Sequence, residues 1–187
     1  MAFDHVSLED VLTTKVIGLD EGGTHIYLLD SRQRDTAALV QVDPIHRREL
    51  TLAHDTSSDV DTVKLNPLSG RPEAAAFNRY RRNWMAIAPD VTSDLARLTD
   101  LYSGDFDIGS TTLDNKTWIV EVNSDHNPKT YELYDRVSKT VRHLFVSRPG
   151  LRDKDLARTR SALITTRDGL ELVNCPFRFG LSSRFVR

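Results

Sequence analysis

The side chains that could do chemistry are present in this sequence, but few stand at the spacings that chemistry requires. Covalent catalysis needs a serine or cysteine beside a base and an oxyanion hole. The strand–elbow–helix signature Gly-x-Ser-x-Gly is absent, and Gly109-Ser110 and Gly180-Leu181-Ser182-Ser183 are its nearest approaches. Cys175, the only cysteine, is followed by Pro176 in an irregular tail and reads as an inert free thiol. The six histidines, His5, His25, His46, His54, His126 and His143, show no i, i+2 or His-x-x-x-His pairing, so zinc spacing is missing. The acidic loop His54-Asp55-Thr56-Ser57-Ser58-Asp59-Val60-Asp61 could offer carboxylates to a hard cation. It lacks the glycine and terminal glutamate of a calcium loop, and a solvated turn is the default reading. The residues therefore name no catalytic, cofactor-binding or metal site, and no cofactor is expected.

Nucleic acid is a second possibility that the charges argue against. The basic cluster Arg79-Tyr80-Arg81-Arg82-Asn83-Trp84 interleaves aromatics with arginine, as single-strand binders do. The chain as a whole carries a net charge of −2, so the cluster is read as a strand end pairing with nearby carboxylates. Gly22-Gly23 precedes a strand pattern rather than a helix N-terminus, which excludes a phosphate loop there. No apolar run approaches the 18 or so residues that span a bilayer. The N-terminus shows neither a basic start nor an apolar core, so a cytoplasmic location is the default expectation. Neither nucleic acid nor a membrane is expected as a partner.

The elements that would position any site are mostly strands. At 187 residues the chain amounts to about one domain, and one cysteine excludes an internal disulfide. Runs of apolar and β-branched residues between Gly, Pro, Asn, Asp and Ser clusters predict strands at Lys15–Leu19, Thr24–Leu29, Thr36–Val42, Glu49–Ala53, Val60–Leu65 and Glu73–Tyr80. Further strands are expected at Trp84–Ile87, Phe106–Thr112, Thr117–Val122, Thr130–Tyr134, Thr140–Val146 and Ala162–Thr166. Between Pro89 and Leu101 the apolar residues Val91, Leu95, Leu98 and Leu101 fall on one helical stripe, with Asp90, Thr92 and Ser93 as candidate caps. A second short helix or turn is expected over Leu151–Arg158, and Arg167-Asp168-Gly169 should close a hairpin.

Self-similarity says more than any single strand. The turns beginning at Asp20, Asn66 and Asp114 are each followed by an apolar strand, and their starts lie 46 and 48 residues apart. Strand–turn–strand units with a period in the forties are the footprint of a β-propeller. Strands ending in an acidic turn, Leu39–Asp43 and Tyr131–Asp135, repeat within the units. A β-sandwich with one helical insertion is the competing reading.

Several phrases together resemble the propeller of bacterial prolyl oligopeptidase family serine peptidases (acylaminoacyl-peptidase or dipeptidyl-aminopeptidase-like). They are Val63–Asn78 with Tyr80–Trp84, Leu113–Val120, Tyr131–Asp135 and Leu144–Leu151. Leu163–Val173 is similar to the segment with which such a chain leaves its propeller and begins an α/β-hydrolase domain. The fold class expected is mainly β: an incomplete propeller of about three four-stranded blades, one short helix near 90–101 and a hydrolase stub. The resemblance implies a partial propeller over 1–158, the start of a missing hydrolase domain over 159–173 and an aberrant tail over 174–187. In the parent it implies peptide cleavage by a Ser-Asp-His triad, with the propeller restricting access to short peptides. No triad position carries over, so this chain is expected to be a truncated, non-catalytic portion whose peptide partners act through the missing domain. Open sheet edges or blade faces would make it marginally stable or prone to self-association. The alternative is a stand-alone propeller-like module that binds a protein or peptide.

Overall fold

A computed structural model describes residues 6–124, 127–152, 154, 156, 158–159, 162–169, 171–174 and 177–178. Three antiparallel meanders account for most of it. The first sheet is β1 (Lys15–Leu19), β2 (Ile26–Asp30), β3 (Ala38–Asp43) and β4 (Arg48–Ala53), paired in chain order. The second has three strands, β5 (Val60–Leu65), β6 (Pro72–Asn78) and β7 (Arg82–Ala86). A 3₁₀ turn at Pro89–Val91 and helix α1 (Thr92–Leu101) follow it. The third is β8 (Asp105–Thr111), β9 (Thr117–Asn123), β10 (Thr130–Asp135) and β11 (Thr140–Val146), again in chain order. The expected four strands per blade therefore hold for the outer two sheets, while a helix follows where the middle sheet would have its fourth.

The three periodic turns all fall at one place in this scheme, between the first and second strands of a sheet. The outer sheets repeat residue for residue at an offset of 92, twice the period of 46. Leu29 faces Leu39 as Glu121 faces Tyr131, and Leu39 faces Ala53 as Tyr131 faces Phe145. The bulges repeat too, after Val16 and Ile108 in the first strands and after Leu39 and Tyr131 in the third. So do the left-handed turn residues, Gly23 with Asn115 and Arg47 with Lys139. Asp43 and Asp135 each accept backbone N–H bonds from two and three residues on, which is the Asx turn that closes both outer hairpins.

Packing explains the composition of β6. Ala74 lies in the core shared with the helix and third sheet, whereas Ala75 faces the core shared with the first sheet. Ala74, Ala75 and Ala76 are all fully buried. Successive side chains point to opposite faces of a strand, so small residues there let a sheet approach both neighbours. The first interface gathers Tyr27, Leu29, Leu39, Val60 and Phe77, and the second Leu95, Leu98, Phe106, Trp118 and Tyr134.

Helix α1 uses the predicted stripe in part. Val91, Leu95 and Leu98 are buried, but Leu101 is 39% exposed at the C-terminal end. The expected caps at Asp90, Thr92 and Ser93 make no capping bond; the chain enters through Pro89, whose fixed φ and missing N–H suit a helix start. The expected element over Leu151–Arg158 also differs. A 3₁₀ turn ends at Leu151, and Arg158 lies in β12 (Arg158–Thr159), where Pro149 and Gly150 favour a short turn over a helix. Beyond it, β13 (Ala162–Thr165) and β14 (Glu171–Asn174) form the hairpin predicted at Asp168-Gly169, with Gly169 at φ 85°. Residues 166–169 all stand between the two strands, more than a two-residue turn holds. β12 pairs with β15 (Phe177–Arg178), so residues of the tail join a small sheet.

Two glycines with the same left-handed backbone make a test of how closely the sheets approach. Gly70 has φ 68°, and a Cβ there would stand 2.2 Å from the Leu19 carbonyl oxygen; Gly23 has φ 63° and open space. Glu21 donates its N–H to the Ser69 carbonyl at 2.8 Å beside that contact. Gly23→Ala should cost about 1 kcal/mol from backbone strain alone. Gly70→Ala should cost about 1–3 kcal/mol more, because the first and second sheets must move apart. Urea unfolding of the two variants side by side checks the difference.

Candidate functional site

The junction of the second and third sheets carries two clusters of charges, one at each end of its strands, and these hold most of the buried titratable groups among the described residues. At the junction of the second and third sheets, Lys64 on β5 and Glu73 on β6 are each about 4% exposed at the side chain and pair at 2.5 Å. Lys64 pairs with Ala74 and Leu65 with Pro72, so Glu73 is the extra residue of a bulge, which lets its side chain share the face of Lys64. Asn115, in the β8–β9 turn, donates to both Glu73 oxygens at 2.7 and 3.0 Å and accepts from Lys64 at 3.1 Å and from the Trp118 indole at 2.8 Å. Asn66 donates to Glu73 at 2.7 Å. The Trp118 ring lies between two cations, Lys64 at 4.8 Å and Arg136 at 4.7 Å from its centroid.

Arg136 extends the network to the helix. It donates to Asp94 at 2.9 Å, to Asp90 at 3.2 Å and to the Asn115 carbonyl at 2.8 Å. Asp94, fully buried on α1, also accepts the Tyr134 hydroxyl at 2.8 Å and pairs with Lys139. Burial pushes the Lys64 ammonium below its ordinary range, opposed by the hydrogen bond to Glu73. Burial, with the bond to Asp94, raises the Tyr134 phenol. Every one of these groups is occupied by a neighbour within the chain. The arrangement locks blade, turn and helix together; it does not leave a base beside a nucleophile.

A second cluster sits at the opposite ends of these strands. Arg82 bridges Asp61 of the second sheet and Asp107 of the third, donates to Thr62 at 3.0 Å, and takes the Asp105 carboxylate on its backbone N–H at 3.2 Å. Burial raises the Asp107 carboxyl, and the Arg82 charge works against that rise. Arg81 lies 3.8 Å from Asp105, and the Trp84 indole donates to the Phe106 carbonyl at 3.0 Å. The basic cluster thus pairs with carboxylates, as the charge balance led us to expect.

The remaining sequence candidates are scattered. His25, His46 and His143 lie beside Asp20, Asp43 and Glu132 at 3.2, 2.6 and 3.0 Å, and His54 beside Thr36 at 3.1 Å. Thr24, Asp20 and His25 superficially suggest a triad. Both Thr24 and Asp20 approach the same ring nitrogen, Nδ1, whereas a relay uses the two nitrogens for different partners. In the acidic loop Asp55 accepts from Ser57, Asp59 from the Ala37 N–H and Asp61 from Arg82, so the carboxylates diverge. No group of three metal-binding side chains occurs among the described residues. Ser110 is exposed on β8. His5, His126, Cys175, Ser182 and Ser183 lie outside the described residues. A cleft of about 470 Å³ opens between the first and second sheets beside Lys15, Asp59 and Asp61.

Asp20 makes the first turn acid-sensitive. Its largely buried carboxylate accepts the Thr24 hydroxyl at 2.7 Å and the Thr24 and His25 N–H groups at 2.7 and 2.9 Å. These bonds, the Thr24 hydroxyl first, hold it far below the ordinary carboxylate range. A depressed folded value contributes stability above the unfolded pKa of about 3.9 that is lost as pH falls below it. Asp43, held at about 2 by His46, acts in the same direction. Stability should therefore fall between about pH 4 and 2, and Asp20→Asn should flatten that fall. A pH series of denaturation midpoints measures both.

No protein-family model matches the chain. Over 172 residues it is 36% identical to dipeptidyl aminopeptidase BIII of Pseudoxanthomonas mexicana, an alignment covering 92% of this chain and 25% of that protein. Among solved structures it is similar to prolyl oligopeptidase B from Galerina marginata, with TM-score 0.55 and 12% identity over 86% of this chain and 23% of that one. This chain matches part of the propeller of the prolyl oligopeptidase family. The Galerina enzyme bound to a 25mer macrocyclization substrate gives TM-score 0.57 at 11% identity, with the same coverage. A prolyl endopeptidase from a comparison of two such enzymes gives 0.55 at 10% identity. The chain spans about a quarter of the length of these relatives.

The resemblance read from the sequence leads to these relatives, but it does not contain the charge networks between the sheets. A signal was available: Lys64 and Glu73 sit in strands flanked by Val63, Leu65, Pro72 and Ala74, where an unpaired charge would be costly. The Arg82 cluster had one too, since Asp59 and Asp61 recur as Asp105 and Asp107 at an offset of 46.

Proposed function

We propose that this chain is the blade portion of a prolyl oligopeptidase-type peptidase that restricts peptide access to a hydrolase domain, and that it has no peptidase activity by itself. The observation that carries this reading is the match of a residue-by-residue blade repeat to a quarter of a dipeptidyl aminopeptidase. The pairing of the buried titratable groups with one another, rather than with a nucleophile, supports the inactive part. The β13–β14 hairpin is read as the entry into the hydrolase domain, on its resemblance to that segment.

Two measurements test the proposal. A fluorophosphonate probe should leave the purified chain unlabelled; a labelled serine overturns the inactivity. A chimera carrying this chain in place of the matching quarter of dipeptidyl aminopeptidase BIII should cleave short peptides and exclude long ones. Equal rates on short and long substrates overturn the access role.

A further inference from the structure

The middle sheet has an unfilled place that its own connection creates. In both outer sheets the third strand pairs with a fourth, β3 with β4 and β10 with β11. Beside β7 the chain turns through Pro89 into α1 instead, so β7 pairs with β6 alone. The first and third sheets cover the two faces of this sheet, and the vacancy lies along its edge.

The phase of the β6–β7 ladder shows which groups that edge offers. Ala86 faces Ala74, and the Ile87 N–H reaches the Glu73 carbonyl at 2.8 Å. Antiparallel pairs alternate between bonded and unbonded, so Asn83 and Met85 bond to β6 while Arg82, Trp84 and Ala86 turn outward. The Arg82 N–H agrees, since it points away from β6 to the Asp105 carboxylate at 3.2 Å. Among the described residues nothing bonds the N–H of Trp84 or Ala86, or the carbonyls of Arg82, Trp84 and Ala86. Sealed backbone groups are nearly always paired, and these three residues are only half-buried.

The side chains beside the edge narrow the occupant further. Met85 pairs with Ala75, so it lies on the face toward the first sheet, and it is 36% exposed. On the first sheet, Leu50 pairs with Gln41, on the face that Leu39 turns toward the second sheet, and it is 58% exposed. A strand added to β7 sets alternate side chains next to Met85 and toward Leu50. Its other side chains stand beside Trp84 and Ala86, on the face of the helix and third sheet.

We infer that the β7 edge binds an extended segment of another polypeptide as the fourth strand of the middle sheet, with an apolar residue opposite Met85. Only an extended main chain offers N–H and C=O groups at the spacing of Trp84 and Ala86. Trp84 and Ala86 each exchange two bonds with it, and the Arg82 carbonyl accepts one more. Asp105 closes that end of the edge by holding the Arg82 N–H. No hydrolase domain takes part, so this binding stands apart from the peptidase reading.

The probe is a fluorescein-labelled peptide of alternating threonine and valine, flanked by lysines. Its anisotropy should rise and saturate on titration with the purified chain. With valine opposite Met85, the threonine N–H groups face β7 and the valine N–H groups face solvent. Methylating the threonine main-chain nitrogens should weaken binding at least about tenfold, and methylating those of valine should not. Amide exchange at Trp84 and Ala86 should slow about tenfold with peptide present, while Met85, already bonded to β6, stays unchanged. Ala86→Pro removes an N–H that β6 does not use, and Met85→Asp places a charge on the exposed edge. Each should weaken binding about tenfold with an unchanged far-ultraviolet circular dichroism spectrum, and Met85→Asp serves alone if the proline variant does not fold. Absence of saturable binding, equal weakening by both methylations, or unchanged exchange at Trp84 and Ala86 overturns the inference. A wild-type dimer that Met85→Asp dissociates also overturns it, giving the edge to a second copy.

Discussion

Glu73→Ala should destabilise the chain by about 3–5 kcal/mol, the cost of leaving a buried charge without its partner. The Lys64 side chain is only 4% exposed, and Asn66 and Asn115 lose their acceptor in the same step. Domains of ordinary stability have about 5–15 kcal/mol to lose, so the variant should be near its folding limit. In urea, with an m-value of about 2 kcal/mol per molar, the midpoint should fall by about 2 M. The double variant Lys64→Met/Glu73→Leu should recover only part of the loss, since it removes the unpaired ammonium but leaves the Asn66 and Asn115 amides without their acceptor. A loss under about 1 kcal/mol in Glu73→Ala would mean that water reaches Lys64 and that the junction is not sealed.

Trp118→Ala is the second large effect, at about 3–5 kcal/mol for a fully buried aromatic. The ring fills the space between Lys64 and Arg136, meets Tyr134 at 5.9 Å, and carries the indole N–H to Asn115. Trp118→Phe keeps a ring between the cations and loses the N–H, which should cost about 1–2 kcal/mol. The Ala variant should exceed the Phe variant clearly; equal losses would assign the whole effect to the hydrogen bond. Glu73→Ala and Trp118→Ala both disturb Asn115, so their combined loss should fall short of additivity. Denaturation of the single and double variants supplies the cycle.

Local physics made much of the fold legible. Gly23 and Gly70 mark hairpins because only a left-handed residue turns the chain there, and the period of these turns gives the blades. The alternation in β9 and the stripe Val91, Leu95, Leu98 give strand and helix their faces. The caps failed because proline supplies a start without a side-chain bond. The middle sheet's missing strand is hidden for another reason. Whether a segment beside β7 extends a sheet or packs across it depends on the neighbouring sheet, which no local window contains.

The sequence alone determined the turns, the strand alternation and the blade period, since each depends on residues a few positions apart. Its charges showed only that pairing must occur. Tertiary structure decided which groups pair: Asn115 reaches Glu73 across 42 residues, Arg136 reaches Asp94 across 42 and Arg82 reaches Asp107 across 25. Such contacts arise when whole sheets stack, and their partners are fixed by register and by the close approach that β6 alanines allow. Most of the buried charges are used in holding the sheets together.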